Sequence, residues 1–196
     1  AESPEAVAAI AEGLALGAYR FDRFRSLPVA AERATVLTPL AKSKEVKIAL
    51  ERAAVLAQSV NATRELVNTP AGELYPASFA DHAREVAAAA GLAVAVWDEE
   101  KLEAEKCGGI LAVGRGSERG PRLVRVAWTP KKARGTIALV GKGITFDTGG
   151  LSLKPPLAME TMKTDMAGAA AVLHTVAAAA RLKLDVAVTG WLAIAE

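Results

Sequence analysis

The stretch Val140-Gly-Lys-Gly-Ile-Thr-Phe-Asp-Thr-Gly-Gly-Leu-Ser-Leu-Lys154 organises the chain, and Met159-Glu-Thr-Met-Lys-Thr-Asp-Met-Ala-Gly-Ala-Ala170 follows it closely. The apolar run Thr136 to Val140 predicts a strand that leads into the glycines. Glycine permits a tightly bent main chain and a close approach of the backbone to a ligand. Strand ends and helix starts are where α/β proteins place their ligands. We therefore expect a functional site in this stretch.

Charged side chains lie in or just after the glycine-rich stretch, where core packing does not require them. They are Lys142, Asp147, Lys154 and Asp165. In one interpretation the glycines bind a phosphate group through their backbone N–H groups. The Gly-x-x-x-x-Gly-Lys-Ser/Thr motif of phosphate-binding loops is absent, however, and Gly141-Lys142-Gly143 lacks the third glycine of a dinucleotide-binding motif. In the other, Asp147 and Asp165 are carboxylate ligands of a metal ion. An aspartate in a loop can also be a simple turn former, and Asp165 can be the N-cap of a helix.

The same residues resemble the catalytic core of the leucyl (cytosol) aminopeptidases, the M17 metallopeptidase family. Both quoted segments match the family pattern in order and spacing. Upstream, Leu66-Val-Asn-Thr-Pro-Ala-Gly-Glu-Leu-Tyr-Pro76 and Gly109-Ile-Leu-Ala-Val-Gly-Arg-Gly-Ser117 also resemble family segments in the expected order. The resemblance therefore covers nearly the whole chain.

The resemblance implies a metal-dependent aminopeptidase that removes N-terminal, preferably leucine-like, residues from peptides by a two-metal mechanism. It makes Lys142, Asp147 and Asp165 ligands of two divalent ions, Mn or Zn with Mg as a further option, and Asp147 would bridge them. Lys142 would bind through a neutral amine. Lys154 would be the catalytic lysine that stabilises the developing oxyanion. Met162 would line the pocket for the first side chain, so that the substrate contacts all five residues.

One part of the family pattern is missing from this sequence. The family completes its site with an Asn-Thr-Asp-Ala-Glu-Gly-Arg segment, which does not occur here. We therefore expect residues 31–196 to be the N-terminal part of the catalytic domain, truncated at its C-terminal side. By the same resemblance, residues 1–30 are expected to be a linking helix from a missing N-terminal domain. The alternative is a non-catalytic fragment or scaffold chain that acts as an assembly or DNA-binding module. A third hypothesis is a phosphate binder that uses the loop from Gly141 to Gly150.

Composition narrows the function classes further. The 24 basic and 22 acidic residues give a formal net charge of +2, so neither a membrane nor a nucleic acid is expected as a partner. The single cysteine, Cys107, forms no intrachain disulfide and favours a reducing compartment. The two histidines, His82 and His174, form no His-x-x-x-His or His-Glu-x-x-His motif. We expect a cytoplasmic protein. The resemblance further implies peptide substrates and a homo-oligomer, which is a hexamer in that family.

Periodicity predicts strands that alternate with helices and thus an α/β fold, a layered helix-sheet-helix arrangement with a mostly parallel mixed sheet. Ser3 and Pro4 should start the first helix. The other predicted helices are Lys44–Leu66, Pro76–Ala90, Glu99–Lys106 and a helix from Thr164 or Asp165 to about Leu182. The predicted strands are Ala34–Leu37, Leu92–Trp97, Ile110–Val113, Arg122–Trp128, Thr136–Val140 and Val186–Ile194, the last in an interior position. A loop is expected around Pro28, and a hairpin tip at Lys131-Lys132.

Overall fold

The computed structural model describes residues 1–26 and 33–196. These form two compact units, Ala1–Ala62 and Thr63–Glu196. The predicted loop around Pro28 and the domain boundary near residue 30 lie outside the described residues, so both stay predictions. None of the helices in the described ranges combines the length and the apolar character that crossing a membrane requires.

The first unit contains helix α1 (Pro4–Gly17) and most of helix α2 (Lys44–Asn68). The Ser3 hydroxyl accepts a hydrogen bond from the Ala6 N–H at 3.2 Å and Pro4 occupies the first turn, which confirms the predicted start of α1. The predicted strand at Ala34–Leu37 is wrong. No strand forms there, and Leu37 is 83% exposed, so its apolar side chain is not packed in a sheet.

Helices and strands are interspersed along the second unit, as the α/β prediction requires. In chain order they are α3 (Pro76–Ala90), β1 (Ala93–Trp97), α4 (Glu99–Ala104), α5 (Gly108–Gly114), β2 (Arg122–Trp128), β3 (Thr136–Ile144), α6 (Pro156–Met159), a 3₁₀ turn (Met162–Thr164), α7 (Ala167–Arg181) and β4 (Ala187–Ala195). Gly91 ends α3 in the left-handed conformation at φ 67°, which glycine adopts without strain.

The four strands form a mixed sheet in the order β1-β2-β4-β3. β4 lies in the interior, as its apolar sequence predicts. β3 and β4 are parallel, whereas β1 pairs with β2 and β2 with β4 in the antiparallel direction. The expectation of a mostly parallel sheet is therefore wrong for these strands. Only β3 and β4 are joined by a long crossover helix, α7, and parallel neighbours need such a connection.

Two local predictions also fail. The apolar run Ile110–Val113 lies in helix α5 and not in a strand, because a run of four apolar residues fits either element and periodicity does not separate them. The turn at Lys131-Lys132 is not a hairpin tip, since β4 lies between β2 and β3. It is instead tied to the α7–β4 connection, where Arg134 Nε lies 2.7 Å from Asp185 Oδ2.

The core of the second unit lies between one face of the sheet and helices α3 and α7. Alternate residues of β2 and β4 point into it, as a strand period of two requires. The completely buried members include Phe79, Val124, Val126, Leu173, Val176, Leu192 and Ile194. This packing fixes α7 directly against β3.

Gly141 and Gly143 lie inside β3, where the ladder with β4 continues as far as Ile144. The bend expected at these two glycines is absent, so the first four residues of the proposed phosphate loop belong to a regular strand. A Cβ at Gly141 would lie only 2.6 Å from Ala169 Cα and from the Gly168 carbonyl oxygen. The glycine is thus required for close strand–helix packing. This packing brings the start of α7 next to Lys142.

Candidate active site

The site lies where the two parallel strands end. Parallel neighbours finish at the same edge of a sheet, and this edge is where α/β proteins bind ligands. After β3, the Thr145 N–H donates to the Ala195 carbonyl at 2.8 Å, which extends the pairing with β4 by one residue. Thr145 is buried, so the loop that follows begins from a fixed point.

Asp147 and Lys154 are brought together by this loop. Asp147 Oδ1 accepts a hydrogen bond from the Gly149 N–H at 2.8 Å, and the loop closes where the Lys154 N–H donates to the Thr148 carbonyl at 2.9 Å. Gly149 and Gly150 have φ of 93° and 65°, which confirms the predicted bend at this pair. Lys154 Nζ lies 2.5 Å from Asp147 Oδ2. The hydrogen bond from Lys154, and then the bond from Gly149, lowers the pKa of Asp147.

Lys142 and Asp165 form a second pair. Lys142 extends from β3, and its Nζ lies 3.1 Å from Asp165 Oδ2. Asp165 follows the 3₁₀ turn, and α7 begins only at Ala167, so the predicted start at Thr164 or Asp165 is early by two to three residues. No side chain caps the N-terminus of α7. The alternative role of Asp165 as the N-cap of α7 is therefore wrong, and its carboxylate is available to the site.

The two pairs meet through their carboxyl groups. The Asp165 carboxyl is the smallest of the causes that lower the pKa of Asp147, so the two carboxyl groups lie near each other. Asp165 Oδ2 is buried and, although it lies near Lys142, it makes no hydrogen bond of good geometry. Two adjacent carboxylates repel each other unless a proton or a cation lies between them. The arrangement can therefore accept a cation.

The described residues do not supply enough carboxylate, thiol and imidazole ligands at one place for a complete metal centre. In residues 1–26 and 33–196, no three His, Cys, Asp or Glu side chains lie close enough together to hold a metal ion. The chain brings together two carboxylates and two lysines. Met162, half-buried at the start of the 3₁₀ turn, shares a segment with Asp165, whose N–H donates to the Met162 carbonyl at 3.3 Å. Its role as a pocket residue stays a prediction.

A cavity of about 1230 Å³ adjoins the site on one side. It contacts Lys142 and Asp147 but not Lys154, Met162 or Asp165. Part of its wall is apolar and comes from α5 and β3, namely Ile110, Val113, Val140 and Ile144. Because it contacts only two of the five residues, we place the candidate site at the Lys–Asp pairs and not in the apolar part of this cavity.

Sequence reasoning missed a polar cluster on the wall of the same cavity. Arg119 lies 3.1 Å from Glu196 Oε1 and donates to the Ala71 carbonyl at 2.9 Å. The Ser117 hydroxyl donates to Glu196 Oε2 at 2.7 Å. These residues come from three distant segments, so no local spacing could have revealed the cluster. The segment Gly109–Ser117, quoted for its family pattern, was the one available signal.

Comparisons with known proteins show the family to which the chain belongs. Residues 61–196 match the model of the cytosol aminopeptidase family, catalytic domain. A relative in Micrococcus luteus named "Probable cytosol aminopeptidase" is 53% identical over 204 residues, which cover 100% of this chain and 40% of the relative. A protein of the same name in Rhodococcus opacus is 51% identical, and the match covers 96% of this chain and 39% of that protein. The chain thus spans about 40% of the length of these relatives.

Solved structures give the same result. The bottromycin maturation enzyme BotP in complex with Mn superposes with a TM-score of 0.88 at 44% identity, over 98% of this chain and 40% of that chain. The cytosol aminopeptidase from Coxiella burnetii superposes with a TM-score of 0.85 at 30% identity and the same coverage. None of these names favours a non-catalytic assembly or DNA-binding module. The α/β fold and the match over residues 61–196 lead to one assignment, and the chain belongs to the cytosol aminopeptidase family, M17.

Proposed function

We propose that the protein containing this chain is a metal-dependent aminopeptidase that removes N-terminal residues, preferably leucine-like ones, from peptides. One observation carries the proposal. Two Lys–Asp pairs from separate segments, Lys142 with Asp165 and Lys154 with Asp147, meet at the edge where β3 and β4 end. Membership of the cytosol aminopeptidase family supports the reaction class. The Mn complex of BotP, at 44% identity, supports a divalent metal.

Lys142, Asp147 and Asp165 would hold the metal ions, two in number by the family resemblance. The buried Asp165 Oδ2 without a well-formed hydrogen bond and the adjacent Asp147 carboxyl fit a cation at this point. Carboxylate oxygens together with an amine nitrogen suit Mn or Zn, with Mg as a further option. When bound, the ions would supply Lewis acidity for peptide-bond hydrolysis. For Lys142 to act as a ligand, its amine must be neutral, so its present contact with Asp165 must be exchanged for the metal.

Lys154 would act on the carbonyl group of the substrate. Its side chain is about one quarter exposed, and its ammonium lies 2.5 Å from the Asp147 carboxylate and 3.4 Å from the Asp147 backbone carbonyl. A cation held in this way can stabilise the negative charge that develops on a carbonyl oxygen during hydrolysis. The loop around Gly149 holds both residues, because the Gly149 N–H donates to Asp147 and the Lys154 N–H donates to the Thr148 carbonyl.

Selectivity and assembly are also part of the proposal. The half-buried Met162 would favour an apolar first side chain, since a thioether adapts its shape to apolar groups. The family resemblance supports a homo-oligomer, a hexamer in that family. The names of the relatives and the single Cys107 support the cytoplasm as the compartment.

The test is hydrolysis of leucine p-nitroanilide by the full polypeptide that contains this chain, with Mn and Zn added in turn and a chelated sample beside them. We expect chelator-sensitive turnover that Asp147→Asn or Asp165→Asn abolishes, since each removes a carboxylate ligand. Asp185→Asn is the matched control, because Asp185 lies in an exposed pair with Arg134 away from the site. Near wild-type turnover of either site variant at saturating metal would refute the assignment.

A further inference from the structure

The C-terminal end of α2 lies within the second unit and has carbonyl groups to satisfy. The last carbonyls of a helix lack partners inside the helix. The Thr69 N–H donates to the carbonyls of Glu65 and Leu66 at 3.1 Å, and its hydroxyl donates to Glu65 at 2.7 Å. Pro70 follows and has no N–H to donate. The last turn of α2 also contains no basic residue of its own.

Lys163 supplies a cation to this helix end from 95 residues away. Its Nζ donates to the Asn68 carbonyl at 2.6 Å. An ammonium is favoured at this point because the C-terminus of a helix carries partial negative charge. Lys163 is half-buried, so the contact is partly shielded from water. Its ammonium thus contacts the end of α2, whereas the ammonium groups of Lys142 and Lys154 contact aspartates.

The same lysine lies in the 3₁₀ turn between Met162 and Asp165. Inside the turn, the Thr164 N–H donates to the Thr161 carbonyl at 3.0 Å and the Asp165 N–H to Met162 at 3.3 Å. Directly after Asp165, Met166 is completely buried in the core. Asp165 thus lies between two anchors, the Lys163 contact to α2 on one side and Met166 on the other.

We propose that Lys163 is a positioning residue, whose contact with the Asn68 carbonyl holds the turn so that Asp165 faces the metal ions and Met162 faces the substrate side chain. This inference rests on the proposed aminopeptidase function. Lys163 itself touches neither the substrate nor the metal.

The test compares Lys163→Met with Lys163→Arg in the full polypeptide. Methionine keeps the apolar stem and removes the donor, whereas arginine retains a cationic donor. We expect Lys163→Met to weaken Mn binding to the metal-free protein and to raise KM for leucine p-nitroanilide, each by about 10-fold to 100-fold. The value of kcat at saturating Mn should change less than KM. Arginine should restore both quantities. The matched control is Lys131→Met, which alters an exposed lysine in the β2–β3 turn.

Hydrogen exchange of the Thr164 and Asp165 amides provides a readout that does not depend on activity. We expect faster exchange in Lys163→Met than in Lys131→Met. If the wild-type protein does not hydrolyse the substrate, the proposed function fails, and the exchange rates alone decide the role of Lys163. Equal exchange, Mn affinity and KM in the two methionine variants would overturn the positioning role. If Lys163→Met does not fold, Lys163→Gln, whose amide is too short to reach Asn68, is judged by the same criteria.

Discussion

Replacing Gly141 with alanine tests whether this glycine exists to let α7 approach β3. The new Cβ would lie 2.6 Å from Ala169 Cα, 2.6 Å from the Gly168 oxygen and 2.7 Å from the Ala169 nitrogen. Ordinary van der Waals contact begins at 3.4 Å, so the methyl group is about 0.8 Å too close. All three neighbours are backbone atoms, so no side-chain rotation can relieve the overlap. The first turn of α7 must move away from the strand.

The cost follows from overpacking a close-packed core. Such insertions typically destabilise by about 1 to 3 kcal/mol. The lower conformational freedom of alanine in the unfolded chain offsets up to about 1 kcal/mol of this. We therefore expect a net loss of about 1 to 2 kcal/mol in the free energy of unfolding, or a Tm lower by about 2 to 8 °C for a chain of this size. The displaced helix should also move Asp165 away from Lys142 and, under the proposed function, weaken metal binding.

Urea denaturation followed by tryptophan fluorescence is the appropriate assay. All three tryptophans, Trp97, Trp128 and Trp191, belong to the second unit and so report on the part that contains the mutation. Gly135→Ala is the matched control, because Gly135 directly precedes β3 and a Cβ there meets no atom within 4 Å. If Gly141→Ala proves as stable as Gly135→Ala, the close-packing explanation for Gly141 is wrong.

Three further predictions concern stability measured in the same way. Burial, and secondarily the charge of His82, lowers the pKa of His174 from 6.5 to about 4, so the folded state keeps it neutral while the unfolded state takes up a proton. The contribution of His174 to the free energy of unfolding should therefore be fully present above pH 6.5. Between pH 7.5 and 4.5 the free energy of unfolding should fall by about 2 to 3 kcal/mol, and His174→Gln should lack this loss. Phe79→Ala should cost about 3 to 5 kcal/mol because Phe79 is completely buried; a loss below about 1 kcal/mol would contradict its place in the core. Gly149→Ala should lower the free energy of unfolding more than Gly150→Ala. Both glycines have positive φ, but of the two only Gly149 would place a Cβ against the backbone, 2.3 Å from the Ser152 oxygen. Equal losses in the two variants would argue against a tight turn at Gly149.

Most helices and strands of the second unit could be predicted from local sequence. Pro76–Ala90 and Arg122–Trp128 have the predicted bounds, because their periodicity and their flanking proline or glycine residues act over a few positions. The site was also visible locally, since glycines and charged residues that a core does not need stand out against apolar surroundings. What the sequence did not distinguish was a four-residue apolar run as strand or helix at Ile110–Val113.

The tertiary structure decided everything that depends on residues distant in sequence. The direction of the strand pairs, the packing of α7 on Gly141 and the contact of Lys163 with Asn68 each join segments that no local pattern relates. The sequence by itself determined which residues are candidates for the chemistry and which family they resemble. Only the fold decided that Lys142 pairs with Asp165 and Lys154 with Asp147. These pairs depend on the packing of the whole sheet and its helices, whereas residue type and spacing are properties of the chain alone.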